Sequence, residues 1–299
     1  MRRIAKSKAS GREDAEPYNF HRYATVSAGL VRNLKNLRQK PVVASGLLPN
    51  PGFVPGTFTV LCSMSPIGKT AYLTNLAIEA QSRGMQVAVF LPDYTPGEFV
   101  LRSICVRQKL DYSQVHSGFV SRKTSAQIAG ACKEPSLRGI YISRRHIMSE
   151  SDIEQDVKEI SKELLAAGKR LDLVLIDSLN YVQKEECDIC NFSGLCGLAK
   201  DQSVAIVGAF GVKSQDRCIT LADIRAAGVD ERETDSVLLL NRPEYYDRTD
   251  PMLRGMAEVE TLYSADYWTG TLLLKFDART LSFARNLIQL SPMSPESEF

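Results

Sequence analysis

The chain has 299 residues, 44% of them hydrophobic and 24% charged, which is typical of a globular protein that buries one large α/β core, with or without a small appendage. The net charge of only +2 excludes a strongly basic nucleic-acid coat and a strongly acidic protein. No apolar run approaches the ~18 residues that span a bilayer, and the charged N-terminus lacks the apolar core of a signal peptide. We therefore expect a cytoplasmic protein with no membrane partner, whose seven cysteines are reduced.

Residues 1–44 are predicted to form a basic N-terminal arm that ends in a short helix. Residues 1–17 are basic and have little to bury, so we expect them to be disordered. Residues 24–37 place their apolar positions on one helical face, which must pack on the protein's own core or on a neighbouring subunit. The basic arm can attract phosphate backbones, although a solvated tail explains it equally well.

The segment VLCSMSPIGKT, residues 60–70, follows a strand predicted at residues 57–62 and precedes a helix predicted at residues 71–82. In a strand, loop and helix of this kind, the loop amides and the helix N-terminus form an anion site. Lys69 would reach the phosphates of a nucleoside triphosphate, and Thr70 would hold Mg²⁺. The predicted nucleotide contacts are Ser65, Pro66, Ile67, Gly68, Lys69, Thr70 and Ala71. The pattern GxxxxGK[ST] is incomplete, because Ser63 stands at its first glycine.

The rest of the core, predicted to run from residue 45 to residue 290, alternates strands with helices and ends in consecutive strands. The further strands are predicted at residues 86–91, 139–143, 171–176, 204–210, 236–240, 256–262 and 271–276. The further helices are predicted at residues 97–107, 122–132, 151–167 and 188–200, with a cap at residues 149–152. This order indicates an α/β fold with a mostly parallel sheet and an antiparallel C-terminal extension. Residues 291–299 are predicted to be a disordered tail.

Asp177 ends the strongly apolar run LVLID and supplies the second acid that a phosphate loop needs. A carboxylate at the C-terminal end of a neighbouring parallel strand lies at the edge where ligands bind. There it would hold Mg²⁺ opposite the phosphates. An aspartate that merely ends a strand is the alternative, and the order of Lys69, Thr70 and Asp177 along the chain favours the metal site.

From about residue 45 to residue 285 the chain resembles the RecA-like motor domain of DnaB-type replicative DNA helicases. The likeness rests on GFVPGTFTVLCSMSPIGKT, LRSI at residues 101–104, LVLIDSLNYV, ADIRAAG at residues 222–228 and TDSVLLLNRPEYY at residues 234–246. The resemblance implies a RecA-like P-loop NTPase that uses ATP and Mg²⁺ to unwind DNA during replication, self-associates in a ring and holds single-stranded DNA. The helix at residues 24–37 resembles the linker helix by which such subunits hold their neighbours.

Several positions depart from the family pattern. The family's water-activating glutamate is replaced by Asp93, whose side chain is shorter by one methylene. Its glutamine that senses the γ-phosphate corresponds to Gly211, and its C-terminal lysine and arginine finger correspond to Tyr263 and Ala265. An arginine finger contributes roughly 10³- to 10⁵-fold in turnover. The alternative function is therefore a catalytically impaired helicase-like subunit that binds nucleotide and regulates, loads or caps a true replicative helicase.

Two further sets of residues are weaker candidates. Lys213 and Arg217 lie in the second of the family's DNA loops and are candidate phosphate contacts, although two exposed basic residues also suit a solvated turn. Cys187 and Cys190 have zinc-ligand spacing, with Cys196 and Cys218 nearby, but buried cysteines acting as small apolar residues are the favoured interpretation.

Overall fold

The computed structural model describes residues 46–49, 52–134, 138–183, 192–213, 219–265 and 270–286. The chain divides into two units, Met1–Lys40 and Pro41–Phe299, and all of the described residues belong to the second unit. The predicted arm, the helix at residues 24–37 and the tail therefore lie outside the described residues and stay predictions.

A nine-stranded sheet forms the framework. Its strands are β1 (Phe58–Met64), β2 (Val87–Phe90), β3 (Ile140–Ile142), β5 (Leu173–Asp177), β7 (Ala205–Val212), β8 (Ser236–Asn241), β9 (Met256–Ser264), β10 (Thr271–Asp277) and β11 (Ser282–Arg285). They lie in the order β11-β10-β9-β8-β1-β7-β5-β2-β3. The strands from β8 to β3 pair in parallel, and β8 to β11 pair antiparallel. The prediction of a mostly parallel sheet with an antiparallel extension is confirmed.

Helices cover both faces of this sheet. They are α1 (Lys69–Ser82), α2 (Pro96–Gln108), α3 (Tyr112–His116), α4 (Arg122–Ala131), α5 (Glu150–Ala166), α6 (Ser193–Gln202), α7 (Leu221–Ala226) and α8 (Pro243–Tyr246). A separate parallel pair joins β4 (Met148–Ser149) to β6 (Val182–Gln183). Ser149 and Asp152 form the predicted capping box of α5, each side chain satisfying a backbone N–H of the other.

The central position of β1 follows from its composition, because six of its seven residues are buried and it pairs with β7 on one side and β8 on the other. Alternate residues of a strand face opposite sides of the sheet. Leu61 accordingly joins the apolar cluster that contains α1, while Val60 and Cys62 join the cluster that contains α5 and α6. The loop after β1 is thereby anchored from both faces.

The structure corrects the predicted bounds of some elements. The helix predicted at residues 188–200 begins at Ser193 instead, since Phe192 is its N-cap and packs edge-on against Phe58 and Phe210. The strand β11 and the short helices α3, α7 and α8 were not predicted, because segments of four to six residues carry too little periodic signal. Among the described residues, no helix is both long and apolar enough to cross a membrane.

Asn75 ties α1 to the C-terminal strands. Its Nδ2 donates to the carbonyl of Leu281 over 2.8 Å, and its Oδ1 accepts from the N–H of Phe283 over 3.1 Å. We expect Asn75→Ala to lower the free energy of unfolding by about 3 kcal/mol, because two buried backbone groups lose their partner. The urea midpoint measures this loss.

Ser82→Ala is the matched control on the same helix. The Ser82 hydroxyl donates to the carbonyl of Glu79 in an exposed hydrogen bond, so its loss should change stability by no more than about 0.5 kcal/mol. Equal, small shifts for both variants would show that the C-terminal strands do not depend on Asn75.

Candidate functional site

The loop between β1 and α1, residues 65–68, leaves the first amides of α1 open. Gly68 is the N-cap, its φ of 118° is one that side chains rarely adopt, and its residue type provides no capping side chain. Ile67 is fully buried and anchors the loop, whereas Ser65 and Pro66 are exposed on its rim. The unpaired N–H groups at a helix N-terminus form a site for an anion.

Lys69 points back toward the end of β1. Its Nζ lies 3.2 Å from Ser63 Oγ and 3.5 Å from the Ser63 carbonyl. Burial lowers the pKa of Lys69, and the charges of Asp177 and Cys62 partly oppose this effect. Ser63 thus replaces the expected glycine without strain, since its backbone is not left-handed and its hydroxyl gives the ammonium a partner.

Asp177 lies at the C-terminal end of β5, two strands from β1, and only 3% of it is exposed. Its carboxylate accepts a hydrogen bond from the Thr70 hydroxyl. No group of the described residues bonds its Oδ2, although that atom is buried. Burial raises the pKa of Asp177 to about 6, while the Thr70 bond and the charge of Lys69 pull it down. The structure therefore brings Lys69, Thr70 and Asp177 together, as the sequence predicts.

Asp93 and Arg102 complete the charged surroundings of Asp177. Asp93 is exposed just after β2, and its charge raises the pKa of Asp177, whereas the charge of Arg102 lowers it. The Arg102 guanidinium lies 4.6 Å from the centre of the Tyr112 ring and 5.4 Å from that of Tyr94. Its Nε is buried with no partner among the described residues. These aromatic contacts hold a positive charge near the carboxylates.

The segment after β8 supports the loop from the other side. Arg242 donates from Nη1 to the Ile67 carbonyl over 3.2 Å, pairs with Glu244 over 2.5 Å and stacks 4.0 Å above the ring of Phe276. Tyr246 donates to the sulfur of Met64 at the start of the loop. The antiparallel extension therefore contacts the candidate site directly.

Gly211, near the end of β7, lies beside Lys69. A methyl group at this position would lie 3.6 Å from Lys69 Nζ and 3.3 Å from Asn180 Oδ1. The structure thus places residue 211 where a longer side chain would meet the lysine. Tyr263 and Ala265 lie elsewhere, at the end of β9, where the Ala265 amide donates to the Asp235 carbonyl.

The weaker candidates are only partly described. Lys213 is exposed directly after β7, while Arg217, Cys187, Cys190 and Cys218 lie outside the described residues. Cys196 is half-buried, and its thiol donates to Asp235 Oδ2 over 3.8 Å. Within the described ranges, no three ligand-type side chains are grouped for a metal such as zinc. The zinc hypothesis thus stays untested at the CxxC pair itself.

Sequence reasoning missed Arg102, Asn180 and Arg242 as members of this site. All three lie in segments that carry the family resemblance, LRSI, LVLIDSLNYV and TDSVLLLNRPEYY. That resemblance was the available signal, since no general rule for phosphate loops requires these side chains.

The strand order and the loop at the edge of the sheet define the class, a RecA-like P-loop protein. The chain belongs to the family of the DnaB-like helicase C terminal domain, whose model matches residues 50–285. Two solved structures have the same fold at 20% sequence identity. One, a structure of an isolated ATPase domain, gives a TM-score of 0.77 over 87% of this chain and 98% of that one. The other, a DnaB-like replicative helicase described with its interactions with primase, gives 0.75 over 87% and 68%.

Curated replicative helicases are also similar in sequence. DnaB of Geobacillus stearothermophilus is 23% identical over 75% of this chain and 51% of its own length. DnaC of Bacillus subtilis is 24% identical over 66% and 45%. A probable plasmid replicative helicase of Chlamydia trachomatis is 26% identical over 63% and 44%. The chain thus spans about half the length of the curated relatives that it matches.

The raised pKa of Asp177 predicts a pH-dependent stability. Because this pKa is about 6 in the fold against 3.8 ordinarily, ionising Asp177 costs stability as the pH rises from about 4 to about 6, and the cost remains above 6. Asp177→Asn should remove that step, worth on the order of 3 kcal/mol. Urea midpoints of both proteins from pH 4 to 8, without nucleotide or Mg²⁺, measure it. Parallel profiles would contradict the raised pKa.

Proposed function

We propose that this chain is a DnaB-like motor domain of DNA replication that binds ATP with Mg²⁺ at the loop of residues 65–68. The observation that carries the proposal is the buried Asp177 oxygen without a partner among the described residues, in a carboxylate that Thr70 already orients. A buried charge left unpaired is costly, so this oxygen suits a bound cation. Thr70 and Asp177 are the ligand types that such a metal takes in P-loop proteins.

The phosphates fit the other half of the site. Lys69 has only Ser63 as a hydrogen-bond partner among the described residues, so its ammonium is available to phosphate oxygens. The open amides from Gly68 onward face the same place, with Ser65, Pro66 and Ala71 around them. When bound, Mg²⁺ would neutralise charge on the phosphates and polarise them.

Asp93 is the proposed base that orients water. Its carboxylate is exposed, so water reaches it, and its charge acts on Asp177. Compared with the glutamate that the resemblance leads one to expect, the aspartate is one methylene shorter. A displacement of about 1 Å can cost roughly 100-fold in rate. We therefore propose that hydrolysis by this chain is slow.

The proposed macromolecular partners follow from family membership. Single-stranded DNA would contact Lys213 and Arg217, and further copies of this chain or a replicative helicase would complete a ring. Because the chain spans about half of its curated relatives, unwinding of DNA is a proposal for the protein as a whole.

A second candidate function is a helicase-like subunit that binds nucleotide without efficient turnover and regulates, loads or caps a true helicase. Two positions favour it. Gly211 brings no side chain to the space beside Lys69, and Ala265 has no charge to offer a neighbouring site. A mixed ring would restore the missing arginine from the partner.

Lys69→Ala tests nucleotide binding. We expect it to weaken binding of Mg–ATP at least 100-fold, because several charge-assisted hydrogen bonds to phosphate are lost together. Titration calorimetry measures the affinity. Lys162→Ala, which removes an exposed lysine from α5, is the matched control and should bind as the wild type does. Equal affinity for Lys69→Ala, or no heat from the wild type with any purine triphosphate, would overturn the proposal.

Turnover separates the motor from the impaired subunit. We expect slow ATP hydrolysis by the isolated chain, little changed by single-stranded DNA, because no arginine stands at position 265. Addition of a replicative helicase should raise the rate. Asp93→Asn should abolish whatever turnover belongs to this site while leaving nucleotide binding intact. Brisk, DNA-stimulated hydrolysis by the isolated chain would instead exclude the impaired subunit and favour the motor.

A further inference from the structure

A side chain joins the ends of β5 and β7 beyond the point where their backbones pair. The ladder between the two strands runs to Asp177 and Ala209. Past it, Asn180 Oδ1 accepts from the Gly211 N–H over 2.6 Å, and Nδ2 donates to the Gly211 carbonyl over 3.1 Å. Ser178 Oγ donates to the same Oδ1 over 2.7 Å. The carboxamide of Asn180 is thereby fixed in one orientation.

This carboxamide lies next to the phosphate-binding ammonium. The space above Gly211 is bounded by Asn180 Oδ1 and by Lys69 Nζ, at 3.3 and 3.6 Å from the position of a methyl group there. Since residue 211 has no side chain of its own, Asn180 brings a neutral hydrogen-bonding group to this side of Lys69. A carboxamide nitrogen has two hydrogens. Only one of them has an acceptor among the described residues, the Gly211 carbonyl.

We propose that Asn180 recognises the terminal phosphate in this chain, donating its second Nδ2 hydrogen to the oxygen that Lys69 also contacts. This inference rests on the proposed nucleotide site. It gives Asn180 the task that a longer side chain at position 211 would otherwise perform. It also links triphosphate binding to the end of β7, since the same carboxamide holds both backbone groups of Gly211, two residues before the candidate DNA contact Lys213.

A purely structural clip between β5 and β7 would have the same hydrogen bonds to Gly211. The two roles differ in their effect on the third phosphate. A clip supports triphosphate and diphosphate alike, whereas a contact with the terminal phosphate affects only the triphosphate. A hydrogen bond to a charged group is worth roughly 10-fold to 100-fold in affinity.

The experiment compares the affinities of AMP-PNP and ADP, each with Mg²⁺, by calorimetry. Asn180→Ala should lower the preference for the triphosphate analogue at least 10-fold and change the affinity for ADP less than twofold. Asn180→Asp has nearly the same shape and can still accept from the Gly211 N–H. It should lower the preference further, because it loses the donor and brings a negative charge to the phosphate.

The matched control is Gln183→Ala, which removes another carboxamide from the same connection, on an exposed residue of β6. It should leave the preference unchanged. Equal losses for both nucleotides in Asn180→Ala, or a wild-type preference in Asn180→Asp, would overturn the role of Asn180 while the nucleotide site stands. A wild-type chain that binds neither nucleotide would overturn the proposed function and this inference with it.

Discussion

Two opposite charges, the ammonium of Lys69 and the carboxylate of Asp177, are withdrawn from water at one edge of the sheet, and much of the surrounding structure compensates for this. Removing charged groups from water is costly unless they are paired and hydrogen-bonded. Ser63 bonds the ammonium, Thr70 bonds the carboxylate, and Arg102 contributes a positive charge beside it. The compensation is incomplete at Asp177 Oδ2, and the site is therefore suited to receive further charge from a ligand.

The geometry of this edge depends on elements far away in the sequence. Arg242 reaches the loop from a position 175 residues away and is itself held by Glu244 and by the ring of Phe276. Asn75 ties the helix after the loop to the last strand. The antiparallel extension is thus part of the framework that orients the candidate nucleotide site.

The departures from the family pattern fall on one part of the expected chemistry. The residues that would bind phosphate and metal are present and brought together, whereas those that would sense the γ-phosphate or serve a neighbouring subunit are replaced by Gly211 and Ala265. Binding needs groups supplied within one chain, and fast turnover needs a charge from the next subunit. A protein with this combination is well suited to hold nucleotide within an assembly whose other members supply catalysis.

The sequence alone determined the α/β class, the loop after β1 and the pair of Lys69 and Asp177, because strongly apolar strands and a contiguous motif are local signals. The strand bounds were predicted closely, except where four to six residues gave no usable period, as in β11. Only the tertiary structure decided that Arg102, Asn180 and Arg242 belong to the site. Their placement follows from the order of strands in the sheet, with β1 between β7 and β8. That order results from pairing between distant segments, which no local pattern of residues encodes.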